Sequence, residues 1–279
     1  KNKILGVDLS TCKINVTDVP EDDKRKFIGG SGVAAKIFFD SIDPNVDPLS
    51  PANPLIVITG PLVGTQFPGT SRFAVCGKSP LTGIWGEGTC GGNFGPELKF
   101  AGIDGIIFKG TSSNPVYLVI EDEKIELRDA KDLWEMDNYA VTDLLKERHG
   151  KEKKPKVLSI GPAGENLVRY AVIENDYWRS LGRTGVGAVM GSKKLKAIVF
   201  HGEKKKEIAY PDRVEQFAKE TLERGRDNPG VQNYKRLGTP QLVALTNSVG
   251  AFPSKYWHLG TFEGWEKISA EALLERCQV

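Results

Sequence analysis

The sequence is poor in the residues that a self-contained metal site needs. Its 279 residues include only four cysteines and three histidines, and the cysteines show no C-x-x-C spacing. That scarcity argues against a zinc or iron–sulfur site built from this chain alone. Scattered cysteines in a chain of this size are typical of a reduced, cytoplasmic protein. We therefore expect Cys76 and Cys90 to be small buried hydrophobic residues.

An excess of one charge and a long apolar run are also missing. Lysine and arginine number 38 and the acids 36, so the net charge is +2, which argues against a strongly basic nucleic-acid or membrane binder. The longest apolar run, residues 54–63, contains Gly60 and Pro61 and is too short to span a bilayer. Hydrophobic residues make up 39% of the chain, enough for a sizeable core. We expect no nucleic-acid or membrane partner.

Glycine is present in excess. It occupies 31 of 279 positions, about 11% against roughly 7% in ordinary proteins. Its clusters lie among short β-like segments bounded by glycine or proline, one of them predicted over residues 168–173, and helices are predicted over residues 31–40 and 141–149. This pattern indicates an α+β fold. After residue 208 the pattern becomes helical, beginning with Asp212 and Glu215 at capping-box spacing. We therefore predict domains at 1–208 and 209–279.

Parts of the first domain recur within it. Three segments repeat in the same order: residues 55–61 match 156–162, residues 72–75 match 169–172, and residues 95–110 match 187–202. Such a duplication predicts two similar β-sheets related by a pseudo-twofold axis. The glycine loops of the two copies should then meet where the sheets meet.

The glycine loops have two interpretations. They could serve only tight turns, or they could let backbone N–H groups approach an anion that arginine also binds. Arg72 accompanies the first loop, and Arg179 and Arg183 accompany the second. The spacing of Gly185, Gly187 and Gly191 departs from the dinucleotide fingerprint, and no βαβ unit with a ribose-binding acid follows, which argues against a nicotinamide site.

Five motifs make the chain resemble the N-terminal domain of the aldehyde ferredoxin oxidoreductase family. They are Gly60-Pro-Leu, Lys78-Ser-Pro-Leu-Thr-Gly, Glu97-Leu-Lys-Phe-Ala-Gly, Gly161-Pro-Ala-Gly-Glu-Asn and Gly182-Arg-Thr-Gly-Val-Gly-Ala-Val-Met-Gly-Ser-Lys-Lys-Leu-Lys-Ala. The resemblance extends over the whole chain. It implies two sheets related by a pseudo-twofold axis and a tungsten ion, in some members molybdenum, held by two pterins on this domain. In that arrangement the protein supplies no direct metal ligand.

The resemblance also assigns cofactor-binding residues. Arg72 matches the family arginine between a pterin and an iron–sulfur cluster. The other matched positions contact the pterins, Thr89 and Gly91 from the first loop and Arg179, Ser180, Gly182 and Arg183 from the second. Two of them depart from well-known members, which have asparagine at the position of Thr89 and alanine at that of Ser180.

The activity implied by the resemblance is the oxidation of aldehydes with water to carboxylic acids, with electrons passing through a 4Fe-4S cluster to ferredoxin. The family's cluster motif C-x-x-C-x-x-x-C and its catalytic Glu and His lie C-terminal to residue 279. We therefore interpret the chain as the N-terminal part of a larger enzyme, inactive alone, which could form a homodimer or pair with an electron-transfer subunit. The alternative is a non-catalytic pterin-binding or assembly module that needs a separate cluster-bearing partner. The resemblance does not separate aldehyde oxidation from the enoate-type or aryl-thioester reductions of distant relatives.

Overall fold

The computed structural model describes residues 3–150, 154–204 and 206–277. The chain divides into two compact units, residues 1–209 and residues 210–279.

The first half of the larger unit forms a six-stranded sheet, sheet A. Its elements are β1 (Lys3–Asp8), β2 (Lys13–Asp18), α1 (Glu21–Phe27), α2 (Ser31–Ser41), β3 (Leu55–Thr59), β4 (Phe73–Lys78), β5 (Trp85–Cys90), α3 (Phe94–Phe100) and β6 (Gly105–Lys109). The strand order is β2-β1-β6-β3-β4-β5. Strands β1 and β6 pair in parallel, and the other neighbours pair antiparallel.

The second half repeats this arrangement in sheet B. Its elements are β7 (Val116–Glu121), β8 (Lys124–Asp129), α4 (Asn138–His149), β9 (Lys156–Ser159), α5 (Pro162–Glu165), β10 (Ile173–Asn175), β11 (Arg179–Leu181), α6 (Val186–Ser192) and β12 (Leu195–His201). When the strands are numbered within each half, the order β8-β7-β12-β9-β10-β11 is the same as that of sheet A. The parallel pair is again formed by the first and last strands of the half, here β7 and β12. The predicted α+β fold with a duplicated unit is confirmed.

One part of the predicted duplication is wrong in register. Val57 pairs with Val75, whereas its counterpart Leu158 pairs with Asn175. Asn175 therefore corresponds to Val75, although the sequence match of 72–75 with 169–172 assigned that place to Val172. The strand predicted over 168–173 begins only at Ile173, because the preceding residues form α5 and a turn whose Ala171 carbonyl accepts a hydrogen bond from Gly187 N (3.1 Å).

The two sheets share one hydrophobic core. Helices α3 and α6, at equivalent places in the two halves, contact strands of both sheets. Phe94 of α3 packs at 4.6 Å, between ring centroids, on both Phe73 and Phe200. Helices α1 and α2 cover the outer face of sheet A, and α4 covers that of sheet B. The sheets are therefore held face to face.

A buried ion pair ties α5 to sheet B. Lys196 is fully buried, forms an ion pair with Glu165, and donates to the Met136 carbonyl at 2.8 Å. Burial lowers the pKa of the Lys196 ammonium, and the Glu165 carboxylate offsets this only in part. The second oxygen of Glu165 accepts from Glu135 N at 2.9 Å, so the carboxylate is fixed from two sides.

Replacing Lys196 by methionine should destabilise the protein by about 3 kcal/mol, because the Glu165 carboxylate would stay buried without its cation. Urea denaturation followed by circular dichroism measures the effect. The control is Lys194→Met, which removes an amine bonded to the Ser113 carbonyl at the surface (2.7 Å). Adding Glu165→Gln to Lys196→Met should recover part of the loss; no recovery would contradict the buried charge as the cause.

The smaller unit is helical. It contains α7 (Pro211–Arg226), α8 (Pro229–Leu237), α9 (Leu242–Ser248) and α10 (Ala270–Arg276), with 3-10 turns at Thr239–Gln241 and Trp265–Ile268. The capping role predicted for Asp212 is wrong: Tyr210 is the N-cap, without a side-chain hydrogen bond, because Pro211 already begins α7. Within the described ranges, every helix is too short or too polar to cross a bilayer.

Candidate functional site

The two glycine-rich loops meet where edge strands β5 and β11 pack together. A Cβ atom added at Gly88 would lie 3.0 Å from Leu181 Cβ. Ser79 Oγ donates to the Thr184 carbonyl at 2.7 Å. This agrees with the meeting of the two loops that the duplication predicts.

Sequence-predicted site residues occupy equivalent places in the two copies. Thr89 pairs with Ala74, and Ser180 pairs with Glu174. Because Ala74 and Glu174 correspond through the sheet register, Thr89 and Ser180 also correspond. Two residues further along each chain segment lie Gly91 and Gly182. The candidate site therefore contains two matched pairs, Thr89 with Ser180 and Gly91 with Gly182, and each pair has one member on either side of the junction.

The fold itself gives no reason for glycine at Gly91 or Gly182. A Cβ at Gly91 would meet nothing within 4 Å, and one at Gly182 would meet only Val172 Cγ1 at 3.9 Å. Neither residue has a positive φ. The open space beside them could admit another molecule close to the backbone.

Other glycines of the second loop serve the fold. A Cβ at Gly185 would lie 1.9 Å from the Arg169 carbonyl oxygen, and one at Gly191 would lie 1.9 Å from that of Gly164. Gly185 also has φ +73°. The turn explanation and the ligand explanation thus apply to different glycines of the same motif.

Three exposed arginines stand beside the matched pairs. Arg72 Nη2 donates to Thr89 Oγ1 at 2.7 Å and to the Thr89 carbonyl at 3.2 Å. Arg179 and Arg183 are exposed, and among the described residues their guanidinium groups form no ion pair or hydrogen bond. The Cδ atom of Arg179 lies 2.9 Å from where a Cβ of Gly92 would be, so this arginine of the second copy extends over the first loop. These cations could bind phosphate or carboxylate oxygens.

The surrounding polar groups position this surface. Ser180 Oγ donates to Glu174 Oε1 at 2.8 Å. Cys90 is buried, as predicted for both Cys76 and Cys90, and burial raises the pKa of its thiol more than the nearby Asn175, Arg72 and Arg179 lower it. Cys90 is therefore a neutral thiol at neutral pH.

In the part of the chain that the structure describes, no three His, Cys, Asp or Glu side chains are grouped to hold a metal ion.

The sequence interpretation missed Glu174 and Asn175. Both lie on β10, which was predicted in the wrong place, and neither belongs to a glycine motif. Asn175 Nδ2 donates to the Gly91 carbonyl at 2.8 Å. Only correct strand register could have identified Asn175, because its partner Gly91 is distant in the chain; Glu174 was missed because the hairpin that pairs it with Ser180 was not predicted.

Comparison with known proteins covers both units. Residues 4–202 match the family model of the aldehyde ferredoxin oxidoreductase N-terminal domain, and residues 216–279 match that of domains 2 and 3 of the same enzymes. The chain is 42% identical over 275 residues to the tungsten-containing aldehyde ferredoxin oxidoreductase of Pyrococcus furiosus, covering 97% of this chain and 45% of that protein. The chain thus spans a little under half the length of this relative.

Two further matches bear other names. The WOR-like subunit of an aliphatic sulfonate oxidoreductase of Pyrococcus furiosus is 39% identical over 215 residues, 72% of this chain and 34% of that protein. A solved structure, the active-site complex BamBC of benzoyl-coenzyme A reductase with 1,5-dienoyl-CoA, aligns with a TM-score of 0.78 at 39% identity, over 81% of this chain and 34% of the other. The two family models together match both units of the chain. The chain therefore belongs to the aldehyde ferredoxin oxidoreductase family.

Proposed function

We propose that this chain is the cofactor-binding part of a tungsten–pterin enzyme that oxidises aldehydes to carboxylic acids and passes electrons to ferredoxin. The observation that supports it is the matched, open pair Gly91 and Gly182 beside three exposed arginines. Such a surface fits a flat cofactor with anionic phosphates held by two related loops. The name of the tungsten-containing relative supports the identity of the metal.

The chain's own residues would bind and orient this group. Arg179 and Arg183 would neutralise phosphate oxygens, and the backbone at Gly91 and Gly182 would allow close approach. Thr89 accepts the hydrogen bond that orients Arg72, and Glu174 orients the Ser180 hydroxyl in the same way. When bound, the group supplies the two-electron chemistry by which an aldehyde and water give a carboxylic acid. The 4Fe-4S cluster would be held by residues outside this chain.

A second candidate is a non-catalytic pterin-binding module that works with a separate cluster-bearing partner. Two of the matched proteins support the separate partner, because one is described as a subunit and the other as a complex. In that case the cofactor would bind to this polypeptide, but aldehyde oxidation would require the partner.

Metal analysis and pterin fluorescence on the protein produced from its complete gene test the proposal. We expect tungsten together with oxidised pterin fluorescence, and aldehyde-dependent reduction of ferredoxin. Metal and pterin without ferredoxin reduction would favour the module, and reduction restored by an added cluster protein would establish it. Purified protein with neither metal nor pterin would refute both candidates.

Arg72→Ala in the same protein should lower tungsten content or the rate of ferredoxin reduction at least tenfold. A hydrogen bond to a charged group is worth about 1.5–3 kcal/mol, and about 1.4 kcal/mol is a factor of ten. The control is Arg169→Ala, another exposed arginine, which the sequence matched to Arg72 but the sheet register does not. Equal tungsten content and equal rates of ferredoxin reduction in the two variants would contradict the role of Arg72.

A further inference from the structure

Asn175 is a buried side chain that joins the two copies of the duplicated unit. It lies on β10 in sheet B and is 2% exposed. Its Nδ2 donates to the carbonyl of Gly91 at 2.8 Å and lies 3.6 Å from Cys90 Sγ. The loop of the first copy is thus held by a side chain of the second.

The fold does not require an amide at this place. The counterpart of Asn175 in sheet A is Val75, which is fully buried in the common core. The same strand position is therefore filled by an apolar residue in one copy. In the other, Asn175 Oδ1 is buried and, within the described residues, has no hydrogen-bond partner. A buried unsatisfied acceptor reduces stability, so the favourable contacts of this amide are those of its nitrogen.

That contact lies at the centre of the candidate site. Gly91 is an open glycine of the matched pair, and the next residue, Gly92, has φ +95°. A Cβ at Gly92 would lie 2.9 Å from Arg179 Cδ and 3.2 Å from Asn175 Nδ2. In addition, Asn175 pairs with Arg179 between neighbouring strands. One residue thus adjoins both the first loop's backbone and the second loop's cation.

We propose that Asn175 is a positioning residue that fixes the Gly91 peptide relative to Arg179, so that both loops present a single cofactor-binding surface. The inference rests on the proposed function. Asn175 touches no reacting atom; it acts through the Gly91 carbonyl and the strand that carries Arg179.

The test compares Asn175→Val with Val75→Ala in the protein produced from its complete gene. Asn175→Val installs the residue that the other copy uses, so we expect a melting temperature within a few degrees of wild type and at least fivefold less tungsten per folded protein. Val75→Ala creates a cavity at the equivalent place in sheet A. It should lower the melting temperature and leave the tungsten content of the folded fraction unchanged.

A third variant separates shape from hydrogen bonding. Asn175→Leu keeps the branched shape of asparagine at Cγ but has no donor, so we expect it to lose as much tungsten as Asn175→Val. Full tungsten content in Asn175→Leu would attribute the effect to side-chain shape and overturn the role of the amide. An Asn175→Val protein that fails to fold would also overturn the inference, because the fold itself would then need the amide.

The outcomes distinguish this inference from the proposed function. Wild-type protein without tungsten and pterin refutes the function, and this inference with it. Loaded wild type with an equally loaded Asn175→Val variant refutes the positioning role alone. The rate of tungsten release into a chelator, measured alongside content, reports on retention without depending on activity.

Discussion

Replacing Gly182 by valine should give a folded protein that retains less than a tenth of the wild-type tungsten. The backbone at Gly182 is exposed, has no positive φ, and its added Cβ would meet only Val172 Cγ1 at 3.9 Å. The chain can therefore accept a side chain there at little cost in stability. A branched side chain would occupy the open space that we assign to the cofactor. Metal analysis and thermal melting on the protein from its complete gene measure the two effects separately.

The same result is expected at Gly91, the counterpart of Gly182. Gly91→Val should behave as Gly182→Val does, since no atom lies within 4 Å of its added Cβ. The control is Gly225→Ala in α7, where the added Cβ would likewise meet only one atom, Val231 Cγ1 at 4.0 Å. Alanine favours a helix over glycine by about 1 kcal/mol, so the control should be at least as stable as wild type and fully loaded. Full tungsten content in both valine variants would refute the placement of the site.

Replacing Gly191 by alanine should have the opposite result and strongly destabilise the fold. The new Cβ would lie 1.9 Å from the carbonyl oxygen and 2.6 Å from the carbonyl carbon of Gly164. Both are backbone atoms of α5, which packs directly on α6, so no side-chain movement relieves the clash. We expect a loss of about 3 kcal/mol or more, at the upper end of overpacking effects.

Urea denaturation followed by circular dichroism measures the effect of Gly191→Ala. The control is Gly69→Ala, where φ is +78° but nothing lies within 4 Å, so only backbone strain of about 1–3 kcal/mol applies. A Gly191→Ala variant as stable as the Gly69 control would show that α5 and α6 can separate without cost.

Local patterns predicted the regular elements with strong periodicity. Helix α2 was expected over 31–40 and spans Ser31–Ser41, and α4 was expected over 141–149 and spans Asn138–His149. Edge strand β5 was missed because its sequence, Trp-Gly-Glu-Gly-Thr-Cys, is rich in glycine and polar residues. Such a strand forms through pairing with β4 and not through its own propensity. For the same reason β11, only three residues long, had no sequence signal.

The candidate site was predictable only as a set of residues. The family motifs identified Arg72, Thr89, Gly91, Arg179, Ser180, Gly182 and Arg183, and their roles stay predictions. Asn175 was not found, and Arg169 was paired with Arg72 on the strength of a short match. The repeated Arg-aromatic-Ala-Val pattern misled because a sequence match cannot show whether a segment enters a strand or a turn.

The duplication, the α+β class and the family follow from the amino-acid sequence, because these depend on repeated motifs and on local hydrophobic pattern. Which glycines serve the fold and which lie open follows only from the packing of the folded chain. That distinction depends on atoms far away in the chain, as for Gly88 against Leu181. The correspondence of Thr89 to Ser180 and of Val75 to Asn175 likewise follows only from the folded chain, because strand register is fixed by pairing across the sheet and not by the residues of one strand.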